Sequence, residues 1–219
     1  MRYLLLIAML FSSATFAEGQ TKPLPDPAQG MTLAQASSNQ AASHETAVFS
    51  GGCFWGVQLV FQHVKGVVSA TSGYAGGSAA DAHYDIVSSG TTGHAESVQV
   101  VYDPAKVSYG QLLKIFFSVV HNPTELNRQG PDTGTQYRSA IFTTSSEQQR
   151  IAQAYIAQLD AAHVYPGKIV TQVNALPAFY PAEAYHQNFA TLHPYQPYIY
   201  FNDRPKLEHL KQKFPEWYK

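Results

Sequence analysis

One cysteine, Cys53, stands in a chain of 219 residues. That count excludes an internal disulfide, a cysteine-based zinc cluster and a CxxC redox pair. Charge is scarce as well: Asp, Glu, Lys and Arg make up 13% of the chain, about half the ~25% usual in soluble domains. A formal net charge of −1 leaves no basic footprint for nucleic acid and no acidic tail. The nine histidines show no HExxH and no close carboxylate–histidine ligand spacing, so no metal is expected. No GxxxxGK[ST] or GxGxxG segment is present either, and no nucleotide cofactor is expected. What the chain does have is apolar area. With 12 Phe, 14 Tyr and 45% hydrophobic residues, it reads as one folded domain with one core.

The start has a different texture. Arg2 precedes a nine-residue apolar run, Tyr3 to Phe11, and a small-residue exit ends at Ala17. This fits a secretory signal peptide over residues 1–17. Nine apolar residues are too few for a hydrocarbon core that needs ~20, so no membrane insertion is expected after leader cleavage. The mature chain is expected to be exported, periplasmic or secreted. Residues 18–45 are rich in Pro, then in Ala, Ser, Gln and Asn, and read as a flexible linker. The domain proper is expected over residues 46–219.

Within it, Thr46 to Ser50 reads as a strand closed by Gly51-Gly52. Phe54, Val57, Phe61 and Val64 recur at helical spacing and predict a helix from Cys53 to Val64. Val67 to Thr71 is a second strand, Gly73 to Gly93 a glycine-punctuated loop, and Ala95 to Tyr102 the clearest strand. Ser108 with Gln111, and Ser145 with Gln148, signal capping boxes for two more helices. Further strands are expected at Ser139–Thr143 and Lys168–Val173, with short helices near Pro181–Phe189 and Pro205–Phe214. Helices and strands mix without a strict βαβ rhythm. The expected fold is α+β, a two-layer sandwich with a mixed sheet, flanking helices and a long coil-rich C-terminal segment.

Cys53 sits where a strand ends, two glycines turn the chain and a helix begins. Most free cysteines are small buried hydrophobes. A helix start, however, favours a thiolate through its free N–H groups and positive dipole end. In the strand from Ala95, the period of two puts Glu96 on one face with Val98, Val100 and Tyr102. A carboxyl group on that apolar face loses hydration and favours the protonated form, which can serve as a general acid. The other reading of Glu96 is a strand-end carboxylate paired with an exposed lysine. Phe54 fits the helix core stripe, while Trp55 does not and could wall a pocket. Tyr84 and Tyr137 fall in loop segments where a phenol can donate to a ligand.

Five segments then carry a resemblance. Gly52-Cys53-Phe54-Trp55-Gly56, Gly73-Tyr74-Ala75-Gly76-Gly77, Gly93-His94-Ala95-Glu96, Gly134-Thr135-Gln136-Tyr137-Arg138-Ser139 and Tyr185-His186-Gln187 resemble, in order, the motifs of peptide methionine sulfoxide reductases of the A type. The resemblance covers the chain from about Thr46 onward. It implies the α+β fold and assigns Cys53 as nucleophile and Glu96 as acid. It further implies that Tyr84 and Tyr137 donate hydrogen bonds, that Asp132 holds the substrate backbone, that Phe54 and Trp55 wall the methyl pocket, and that His186 lines the site. The implied reaction is reduction of methionine-S-sulfoxide, free or peptide-bound, with Cys53 becoming a sulfenic acid.

The implied partners are oxidised methionine-containing proteins or peptides and an external thiol reductant: thioredoxin-like, glutaredoxin/glutathione, or a dithiol. No bound cofactor is implied, and a monomer is expected. Many relatives resolve the sulfenic acid with further cysteines, and this chain has none. It also reads His121-Asn122-Pro123 where relatives usually read His-Asp-Pro. The residues alone leave room for an exported cysteine hydrolase or acyltransferase using His94, His121 or His186. A binding module without turnover is the third possibility.

Overall fold

The computed structural model describes residues 20, 22–34 and 44–219. The leader expected over residues 1–17 lies outside them. The elements in chain order are β1 (Glu45–Ser50), α1 (Phe54–Gln62), β2 (Val67–Ala75), α2 (Tyr84–Val87), β3 (Ala95–Tyr102) and α3 (Tyr109–Ile115). There follow the short strands β4 (Arg128–Gln129) and β5 (Asp132–Thr133), then β6 (Ala140–Thr143), α4 (Ser146–Ala161), β7 (Gln172–Ala175), β8 (Phe179–Pro181), α5 (Phe189–Leu192) and α6 (Arg204–Lys213).

The main sheet runs β7-β6-β1-β3-β2-β8. Its pairs are antiparallel except β6 with β7, so the sheet is mixed and the fold is α+β. Its centre is buried on both faces. Alternation along β1 sends Ala47 and Phe49 to the main core and Val48 to a smaller cluster with Ala75, Ala95, Ala140 and Phe142. On the main face α1 lies against the sheet, and Phe49 stacks on Phe61 and on Phe116, each with ring centroids 5.0 Å apart. Each fully buried Phe of this kind contributes roughly 1.5–3 kcal/mol.

Several boundaries differ from expectation. The capping box at Ser108 is complete, with the Gln111 N–H donating to Ser108 Oγ and the Ser108 N–H to Gln111 Oε1. At Ser145 only half forms. Gln148 N–H donates to Ser145 Oγ, but the Gln148 amide turns to Thr144 N–H and Thr46 C=O. The expected 73–93 loop begins only after Ala75, because β2 stays paired with β3 through Ala75↔Ala95. The strand expected at Lys168–Val173 is displaced to Gln172–Ala175, where it finds β6 as its partner.

The expected 18–45 linker is tied down where it is described. Leu24 is buried in the main core. Tyr155 Oη donates to Pro25 C=O, the Gln158 amide bonds Asp26 C=O and Ala28 N–H, and Gly110 N–H donates to Gly30 C=O. Composition predicted a free chain; tertiary contacts with α3 and α4 override it.

Candidate active site

The antiparallel register of β1 and β3 builds the site. Phe49 faces Val98, and Ser50 Oγ lies 2.7 Å from Ser97 Oγ. One step further, Glu96 has passed the end of β1 and meets the turn that starts α1. There its Oε2 accepts the Phe54 N–H at 3.0 Å. Gly52 makes the turn with φ +89°, and a Cβ there would press on the Gln129 side chain. Cys53 is the residue flanking the first turn of α1.

A cavity of about 200 Å³ opens here, lined by Cys53, Phe54, Trp55, Tyr84, Glu96, Asp132, Tyr137 and Tyr198. Every predicted site residue except His186 is therefore brought together, from segments far apart in sequence. Tyr84 lies at the start of α2 rather than in a loop, and Tyr137 ends a single helical turn, Thr135–Tyr137. The Tyr84 N–H is held by Glu183 Oε1 at 2.9 Å. The Trp55 ring stacks on Phe189 with centroids 4.0 Å apart, which fixes it as a wall.

His186 does not line the cavity. It is buried behind it, accepting from Trp55 Nε1 through Nδ1 at 3.3 Å, with its ring against Tyr84 and Phe54. Its part is to brace the wall. The residue that sequence reasoning missed is Tyr198, whose hydroxyl donates to Asp132 Oδ2. It sits in the Pro- and Tyr-rich tail, where no period or motif set it apart from its neighbours.

Electrostatics here correct one expectation and support another. The helix start does not yield a resting thiolate. Burial pushes the Cys53 thiol well above its ordinary value, and the Glu96, Asp203 and Asp132 carboxyls add to this against the opposing Trp55 N–H. Half of a dipole charge at a short helix end does not outweigh lost hydration. Glu96 is 3% exposed, and burial raises it to about 8, with the Phe54 N–H pulling the other way. At neutral pH it is therefore mostly protonated. Burial also raises Tyr84 and Tyr137, keeping both as donors. His121, nominated above as a possible base, is lowered to about 3 by burial and donates no charge. Its Nε2 lies 2.6 Å from Ser139 Oγ, and it does not line the cavity that holds Glu96. Among the described residues no group of three or more His, Cys, Asp or Glu side chains is placed to hold a metal ion.

A buried thiol, a neutral carboxyl group and two phenols around an apolar wall suit a small, polar, oxygen-bearing electrophile. Comparison with known proteins agrees. The family model described as peptide methionine sulfoxide reductase matches residues 45–218. The chain is 62% identical over 178 residues to the peptide methionine sulfoxide reductase MsrA 2 of Mesorhizobium japonicum, covering 81% of this chain and 91% of that one. It is 51% identical over 196 residues to MsrA 2 of Synechocystis, covering 90% of each. Among solved structures, methionine sulfoxide reductase A of Corynebacterium diphtheriae superposes with a TM-score of 0.63 at 35% identity, over 82% of this chain and 88% of that one. Reduced Mxr1 of Saccharomyces cerevisiae gives 0.63 at 30%, over 72% and 90%. The chain belongs to the peptide methionine sulfoxide reductases of the A type, oxidoreductases that reduce methionine sulfoxide.

Proposed function

We propose that Cys53 is the nucleophile and Glu96 the acid in reduction of the S epimer of methionine sulfoxide. The sulfoxide methyl group lies against Phe54 and Trp55, and its oxygen meets Glu96 with the Tyr84 and Tyr137 hydroxyls. Cys53 sulfur attacks the sulfoxide sulfur as Glu96 protonates the oxygen. Methionine leaves. The thiol hydrogen and the sulfoxide oxygen end as the hydroxyl of a Cys53 sulfenic acid, and Glu96 recovers its proton. Two electrons pass from cysteine to substrate. Asp132, tied to Tyr198 on the cavity lining, receives the substrate backbone.

One observation carries this reading: the buried, protonated Glu96 shares a cavity with Cys53 and is tethered to the residue after it. With one cysteine in the chain, an external thiol must regenerate the enzyme. The leader pattern supports export, and a mature chain beginning at Glu18 in the periplasmic fraction is the expected result. An intact leader in the cytosol overturns that part.

The reaction is tested with S- and R-sulfoxide methionyl peptides and a dithiol. Turnover of S alone, abolished by Cys53→Ser, is expected, as is a gain of one oxygen on Cys53 when the dithiol is left out. Turnover of R, or full activity in Cys53→Ser, overturns the assignment.

A further inference from the structure

Cys53 borders a second cavity, of about 90 Å³, that the first half of the reaction does not use. Asp132 and Tyr198, joined by their hydrogen bond, line both cavities. Glu96, Tyr84 and Tyr137 border only the first cavity. Val120, Gln129, Asn202 and Lys206 border only the second.

A thiolate displaces oxygen from a sulfenic sulfur by approaching opposite the S–O bond, as in any displacement at sulfur. The sulfenic oxygen is the former sulfoxide oxygen, so it begins on the Glu96 side. The attacking thiol needs an approach that does not pass Glu96, and the second cavity reaches Cys53 without bordering Glu96. Cys53 is 9% exposed. A cysteine on a protein surface has to bring its backbone into this cleft, whereas a small molecule enters without doing so.

Lys206 is the one cation on the second cavity's lining, since His121 there is neutral. Its side chain is 16% exposed, and its ammonium contacts Asp203 Oδ1 at 3.2 Å. That contact engages one of three N–H donors. The carboxyls facing it are Asp203 and Asp132. Burial holds both above the ordinary range, and Tyr198 already occupies Asp132 Oδ2. The remaining donors suit a carboxylate.

We propose that the second cavity is the reductant site, taking a low-molecular-weight thiol whose carboxylate binds Lys206 and whose sulfur attacks the Cys53 sulfenic acid from within that cavity. The inference rests on the sulfenic acid chemistry above. The thiol sulfur bonds to Cys53 sulfur, the S–O bond breaks, and the hydroxyl leaves as water with a proton from Glu96. The proton lost by the thiol restores Glu96. A second molecule of the same thiol then attacks the mixed disulfide, releasing the oxidised thiol dimer and Cys53 thiol.

The test uses the full mature enzyme at saturating S-sulfoxide peptide, with mercaptosuccinate and 1-thioglycerol compared at equal thiolate concentration. Mercaptosuccinate is expected to show the lower KM. Lys206→Met is expected to raise that KM about fivefold or more, leave the thioglycerol KM unchanged, and be rescued by Lys206→Arg. Succinate, which has the carboxylates without the thiol, is expected to compete with mercaptosuccinate in the wild type and not with the sulfoxide peptide. This arm needs no variant to fold. Equal KM values for the two thiols, or no competition by succinate, overturn the proposal. Single turnover without reductant keeps the two readings apart. One methionine per Cys53 with failed thiol arms sinks the reductant site alone, while no methionine sinks the sulfenic acid reading.

Discussion

Glu96 Oε2 accepts the backbone N–H of Phe54 at 3.0 Å, binding the proposed acid to the first residue of α1, directly after Cys53. The carboxyl group is thereby held beside Cys53 in the shared cavity. Glu96→Gln keeps an oxygen for the Phe54 N–H and removes only the proton. We expect kcat to fall by about 10²–10⁴ with little change in melting temperature. A rate equal to the wild type denies Glu96 its role.

The same group is expected to set the alkaline limb of activity. Its folded value is raised to about 8, and the protonated form is the active one. Activity should hold below that value and fall as pH passes through it, and the limb should be missing in Glu96→Gln. The linkage sign follows. The folded state holds a proton that the unfolded state has released between the ordinary carboxyl value and about 8. Glu96 therefore makes the protein less stable as pH rises across that window, and Glu96→Gln should flatten the slope. Melting curves from pH 4 to 9 in roughly one-unit steps check this.

Cys53 should be slow to react at rest. Burial first, then the nearby carboxyls, hold its thiol above the ordinary value. Iodoacetamide labelling, followed by mass, should be slow at neutral pH and climb as the solution turns alkaline. Asp203→Asn removes one of the carboxyls and should move the rise to lower pH. Fast labelling at neutral pH contradicts the burial argument.

Gly56 has a packing reason. A Cβ there would overlap Asp203 Oδ1 and crowd Lys206 Nζ, because α1 passes directly over the start of α6. Gly56→Ala should cost about 1–3 kcal/mol from overpacking, despite alanine's better helix propensity. Denaturant midpoints measure it, and a more stable variant rules the contact out.

The segment ahead of β1 offers a contrast between composition and contact. Leu24 is 7% exposed within the core cluster, so Leu24→Ala should cost about 2–5 kcal/mol. A free tether predicts no change in melting temperature at all.

Cys53 and Glu96 were legible because each carries a local signal: a thiol at a Gly-Gly helix start, and a carboxyl on the apolar phase of a strand. Those signals depend only on neighbours a few residues away. The register of β1 against β3, which aims Glu96 at the Phe54 N–H, was not legible, since pairing links positions with no sequence contact. Nor was the charge state of Cys53. The local dipole argued for a thiolate, and burial, together with the Glu96, Asp203 and Asp132 carboxyls from distant segments, reversed it. His186 was recognisable by its motif, but its place behind Trp55 depends on how the tail folds back. Tyr198 and Lys206 had no chemical signal, because one tyrosine and one lysine among many take their meaning from where the C-terminal segment lands. By itself, then, the sequence determined which groups are candidates for the chemistry and which strands and helices carry them, through periodicity and local capping. Only the tertiary structure decided their protonation, their common cavity and the second approach to sulfur, because hydration and distance are properties of the assembled core.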